Sequence, residues 1–215
     1  MTFKDFMRGF GLWLSKTLLV MLLIGFVAAI AISNLTSEDF LKPLIGQTMA
    51  AQAAGVPGGQ EQVDSMFSEL YKKKVCSGYS CLGVVKNLQN PADIVTRDFN
   101  IFITSQIWIL GVLAAVFVLF VVLLAKGLPR KFTAVGGSFI SAGAPYFIIK
   151  VVGKNLGSFV PAEMASAIPF IVDILKPIAN IFLVILIVGV VCSVTGWGMR
   201  IYRKRQEKKG KTGKK

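Results

Sequence analysis

Residues 101–125 read IFITSQIWILGVLAAVFVLFVVLLA, 25 residues without a formal charge. A helix of that length rises about 37 Å, enough to cross a hydrocarbon core about 30 Å thick. Residues 177–199 repeat the pattern with 23 uncharged residues. Two further runs flank these. Residues 17–33, TLLVMLLIGFVAAIAIS, follow Lys16, and residues 132–150 are apolar but rich in glycine, serine and alanine. Together they predict an all-α integral membrane protein, a four-transmembrane-helix bundle with a small helical extracytoplasmic cap between spans 1 and 2.

The composition agrees with this reading. The 215 residues are 54% hydrophobic and 16% charged, with mean hydropathy +0.66. A soluble domain carries about 25% charged residues. There is no histidine, which removes the commonest general base and metal ligand. No zinc-ligand spacing, phosphate-cradling glycine loop or nucleophile–base set occurs, so neither a cofactor nor a catalytic residue is expected.

Charge sets the expected orientation. Lys and Arg collect on the cytoplasmic side of membrane proteins. Placing both termini and the 126–131 turn on one side gives that side 15 basic and two acidic residues, and the other side nine of each. The whole net charge of +13 therefore falls on one face. The expected layout is a cytoplasmic N-terminus and first span over 1–33, an extracytoplasmic helical region over 34–100 and a second span over 101–126. A third span over 132–150, an extracytoplasmic connection over 151–176, a fourth span over 177–199 and a basic cytoplasmic tail over 200–215 complete it. The plasma membrane is the expected location. Lys4, Arg8 and Lys16 before an apolar run ending near Ala29-Ile30-Ala31 also fit a cleaved secretory signal; a retained anchor is the preferred reading, because the apolar run is long for a signal.

Within 34–100, Thr36 or Ser37 can cap a helix with Glu38 and Asp39 in its first turn. Pro43 argues for a break or a late start there. Val63, Met66, Phe67, Leu70 and Tyr71 make one helical stripe over 60–74. Asn90-Pro91-Ala92-Asp93 reads as a helix start, predicting one long helix over about 91–125. Between spans three and four, Ile168, Ile171, Ile174 and Leu175 suggest a separate short helix, and Asp173 and Lys176 can pair on one face. Asn34-Leu35-Thr36 matches a glycosylation acceptor but abuts the first span.

Three groups of residues are singled out. Cys76 and Cys81 are separated by Ser77-Gly78-Tyr79-Ser80 and predict a disulfide bracing a turn, worth ~2 kcal/mol for so short a loop. Cys192 lies in the fourth span as a buried free thiol. Gly137, Ser138, Ser141 and Ala142 form small-xxx-small pairs that let helices pack closely in lipid; Pro145 can kink this span. Arg200, Arg203, Lys204, Arg205, Lys208 and Lys209 of the tail are positioned to meet anionic lipid headgroups, while their simplest role is as a topology anchor continuing into a solvated end. No aromatic interleaving supports specific nucleic-acid recognition.

Four spans, inner termini and a larger first outer loop with a cysteine pair resemble claudins and tetraspanins in topology. Trp13, Trp108 and Trp197 all lie in or beside spans, so the Trp–Cys–Cys pattern of claudins is missing, as is the Cys-Cys-Gly run of tetraspanins. The resemblance implies no site residue. The spans carry no acid or base in their central parts, which argues against an ion-coupled transporter in one chain. The expected function is a non-enzymatic membrane protein, an interaction or accessory subunit that meets the bilayer and a protein partner or further copies of itself. The alternatives are a thiol–disulfide oxidoreductase of the vitamin-K-epoxide-reductase type, which would need a Cys-x-x-Cys pair and a second relaying pair, and a subunit of an oligomeric pore or transporter.

Overall fold

A computed structural model describes residues 3–43, 59–86, 96–159 and 168–212. Every regular element among them is helical. In chain order these are α1 (Phe3–Leu35), α2 (Gly59–Lys72), a 3-10 turn (Gly78–Ser80), α3 (Cys81–Lys86), α4 (Arg97–Leu124), α5 (Leu128–Gly143), α6 (Pro145–Phe159) and α7 (Ile168–Thr212). A further helical segment covers 38–43. Four stretches are long and apolar enough to cross a membrane: Asp5–Leu35, Arg97–Leu124, Leu128–Asn155 and Ile174–Gln206. Large apolar side chains such as Trp108, Val112, Leu119 and Leu123 on α4 and Val184, Val191 and Val194 on α7 are exposed. Apolar surface on that scale suits lipid rather than water as the surrounding medium. These features together mark a membrane protein.

The chain forms two compact units. One comprises Met1–Val27 and Leu110–Lys215. Its core is built from Leu19, Leu23 and Val27 of α1, Ala114 and Val121 of α4, Ala134 and Ala142 of α5, and Phe182 and Ile185 of α7. The turn from α4 to α5 passes through Gly127, whose φ of 78° is open to glycine at little cost. Between α5 and α6 the helix breaks at Ala144, because Pro145 has no N–H to donate and its ring crowds the preceding turn.

The second unit is Ala28–Ile109. Here α1 ends at Thr36, whose hydroxyl donates to Ile32 O at 2.9 Å. Ser37 O then accepts from Leu41 N at 3.0 Å, starting the 38–43 segment with Glu38 and Asp39 in its first turn. The segment starts at residue 38 without delay, and Pro43 is its last described residue. On α2, Val63, Phe67 and Tyr71 are buried, but Met66 is 59% exposed and stands outside the expected stripe. Phe67 and Tyr71 form a small core with Leu41. Asn100 Nδ2 donates to Ser33 O at 2.6 Å and to Thr36 Oγ1 at 2.9 Å, and the Ser33 and Thr104 hydroxyls meet at 2.9 Å.

Two boundaries differ from expectation. The helix expected from residue 91 begins at Arg97, with Thr96 outside it and fully buried. Thr96 O accepts from Asn100 N at 3.1 Å, and Asp98 supplies the first-turn acid, so Thr96 serves as the helix start. Asn90 and Pro91 lie outside the described residues. The expected short helix at 168–175 is not separate: α7 runs 45 residues without interruption, carrying Pro177 inside it. Proline inside an apolar helix is tolerated where its surroundings satisfy the freed carbonyl. The same helix continues through Arg200–Gln206, so the start of the basic tail is helical.

Candidate functional site

Within the first unit, α5 and α7 meet along glycines. A Cβ on Gly136 would stand 2.6 Å from Ser193 N, one on Gly143 2.7 Å from Leu186 N, and one on Gly196 2.8 Å from Pro129 O. Gly136 and Gly143 lie seven residues apart on α5, as Gly189 and Gly196 do on α7. Two helical turns therefore return each glycine to the same seam. Of the packing residues singled out by sequence, Ser138 and Ala142 are buried, whereas Ser141 is exposed. A Cβ on Gly137 would meet nothing within 4 Å.

The cysteine hairpin belongs to the second unit. Cys76 and Cys81 stand at disulfide distance, with sulfurs 2.05 Å and Cα atoms 5.0 Å apart. Between them Ser77 N–H donates to Ser80 Oγ at 2.8 Å, and Gly78 adopts φ 53°. Both cysteines pack against Phe99 and Phe102 of α4, and Cys81 is fully buried. Tyr79 meets Phe102 edge-on with ring centroids 6.4 Å apart, yet remains 72% exposed. Cys192 is free and half-buried.

The basic tail residues Arg200, Arg203, Lys204 and Arg205 are exposed along α7; Lys208 and Lys209 are helical, and their side chains lie outside the described set. Arg203 turns back toward the α4–α5 turn, its Nη1 3.9 Å from where a Cβ on Gly127 would stand.

That turn borders a cavity of about 450 Å³ that the sequence did not reveal. Its charged lining is Asp5, Arg8 and Lys16 of α1, Lys126 of the turn and Arg130 of α5. Lys126 pairs with Asp5 at 2.9 Å. Arg8 Nε donates to Leu124 O at 2.7 Å. Read along the chain these cations serve only as topology signals. They lie up to 122 positions apart (Arg8 to Arg130), so no local motif announces the cluster. A smaller cavity of about 290 Å³ lies between α6 and α7, with Lys150, Lys154, Lys176, Tyr146 and Asn180 on its walls. Lys150 Nζ donates to the Tyr146 hydroxyl at 3.2 Å.

Among the described residues, no group of three or more Cys, Asp or Glu side chains is arranged to hold a metal ion. Comparison with protein-family models, curated proteins and solved structures found no match.

Proposed function

We propose that this chain is a multi-pass plasma-membrane protein with both termini in the cytoplasm, serving as a non-enzymatic interaction or accessory subunit of a membrane assembly. In this reading residues 34–100 form an extracytoplasmic helical cap. The topology rests on the partition of charge, +13 on one side and zero on the other.

The observation that carries the accessory role is the surface of the second unit. Its helical segments enclose two small cores, one with the cysteines and one with Phe67 and Tyr71. Met66, Tyr79 and Leu82 nonetheless remain 59%, 72% and 50% exposed. Large apolar side chains left outward on a braced scaffold suit a protein partner. Burial of Cys81 favours a bracing role over thiol exchange, which needs an accessible sulfur.

A photo-crosslinking residue in place of Tyr79 or Leu82, activated in native membranes, tests the reading. Discrete adducts to one protein species are expected. A lone monomer that forms no adduct and purifies without companions in gentle detergent would overturn it. Orientation is tested separately on sealed vesicles. A cysteine placed at Tyr79 and one placed at Arg205 should react with an impermeant maleimide from opposite sides.

A further inference from the structure

The cavity at the start of α5 holds more positive charge than it balances. Lys126 is neutralised by Asp5. Arg8 is anchored through Nε, which fixes the guanidinium plane, and its terminal nitrogens make no hydrogen bond among the described residues. Lys16 and Arg130 make no ion pair among the described residues. Three cations without an ion pair among the described residues thus share one space of about 450 Å³.

Two further features point to an anion. The N-terminal turns of the 16-residue helix α5 form one wall; Arg130 and Lys131 N–H are bonded to Gly127 O and Pro129 has no N–H, so this end contributes its dipole and not free donors. The positive end of the helix dipole therefore adds to the cations. Arg8 and Lys16 lie on the N-terminal turns of α1, ahead of its apolar run over 17–33. Basic residues at such a place reach headgroup level, where anionic phosphates are found.

We propose that this cavity binds one phosphate-bearing anion, gripped by the terminal nitrogens of Arg8 and neutralised by Lys16 and Arg130. Guanidinium geometry suits two phosphate oxygens at once. The phosphate can come from an anionic phospholipid headgroup or from free phosphate. Exposed Phe6, Phe10 and Trp13 on the same turns of α1 favour the lipid, since aromatic side chains gather at headgroup level. The lipid source rests on the membrane reading above; the free-phosphate source does not.

The test uses the full chain purified in mild detergent, with dioleoyl phosphatidic acid and inorganic phosphate as separate probes. Native mass spectrometry reads lipid retention, and thermal unfolding reads phosphate. Arg130→Gln removes an exposed side chain with no ion pair, so the fold is expected to survive. A single lost cation should weaken retention about fivefold, and Lys16→Gln/Arg130→Gln more than tenfold. Lys72→Gln/Lys73→Gln, which removes the same charge from exposed positions at the end of α2, should change it less than twofold. A thermal shift with phosphate that vanishes in Arg130→Gln, without lipid retention, assigns the free anion. Equal losses in the cavity and α2 variants, or no response to either probe, would overturn the site while leaving the spans and the accessory role untouched.

Discussion

Gly136 of α5 and Gly189 of α7 each occupy the space that the other's side chain would need. A Cβ on Gly136 would lie 2.7 Å from Gly189 O, and one on Gly189 would lie 3.0 Å from Gly136 O and 2.6 Å from Ile140 N. The obstacles are backbone atoms of packed helices, which cannot step aside as a flexible side chain can. Helices in lipid associate through such close packing, since the hydrophobic effect does not separate them from the acyl chains.

Gly189→Ala is therefore expected to destabilise the bundle by about 1–3 kcal/mol, as overpacking does. Gly137→Ala is the control, because a Cβ there meets nothing within 4 Å. It should be neutral or gain up to about 1 kcal/mol from helix propensity. Reversible unfolding in mixed micelles measures both. Equal stabilities for the two variants would contradict the seam.

The contrast between Gly136 and Gly137 also shows what the sequence could convey. Apolar runs reveal that helices exist and that they suit lipid, because that signal is local. Helix phase is not local: Gly136, Gly137, Ser138, Ser141, Ala142, Gly143 and Ala144 spread around the helix, and only the position of α7 selects Gly136 and Gly143 as points of close approach. The cationic cavity is hidden for the same reason, since Lys16 and Arg130 line one cavity although 114 positions separate them. Thr96 carries little signal in the sequence, because Asn90-Pro91 offers a stronger start than a lone β-branched residue. The break at Ala144 was legible as a kink at Pro145, and the cysteine pairing as a short loop.

Cys76→Ala/Cys81→Ala tests the hairpin as a brace. The loop is short, so losing the cross-link should cost ~2 kcal/mol, felt first in the segments that pack on Phe99 and Phe102. Thiol counting on the denatured wild-type chain should give one free thiol, Cys192, before reduction and three after it. Hydrogen exchange localises the loss: protection should fall around Tyr79 and leave the α5–α7 seam unchanged.

Asn100 joins α1 and α4 within the second unit through its bonds to Ser33 O and Thr36 Oγ1. Asn100→Leu removes both N–H donors, so Thr36 Oγ1 loses its donor and Ser33 O keeps only the 3.4 Å contact from the Thr36 hydroxyl. A loss of about 1–2 kcal/mol is expected. Ser33→Ala deletes the hydroxyl contact with Thr104 but keeps the carbonyl that Asn100 uses, so it should cost under about 1 kcal/mol. If the serine variant proves the more damaging, Asn100 is not the principal link.

Tyr71 gives the second unit a distinctive response to alkali. The side chain is 6% exposed, stacks on Phe67 with centroids 5.6 Å apart, and directs its hydroxyl to Thr36 O at 3.5 Å. Burial foremost, and then the Glu38 carboxylate, hold its pKa above the ordinary 10.0. The unfolded chain releases the phenolic proton near pH ~10, while the folded chain keeps it to higher pH. In that window the unfolded state binds fewer protons, so stability falls as pH rises past about 10 and stops falling above the folded pKa. Tyr71→Phe has no such proton. Its stability should differ from wild type by no more than about 1 kcal/mol near neutrality, and should decline less steeply between about pH 9 and 11. The two chains share every other side chain, so their difference isolates Tyr71. Parallel unfolding profiles across that range would show that Tyr71 ionises in the folded protein as readily as in the unfolded one.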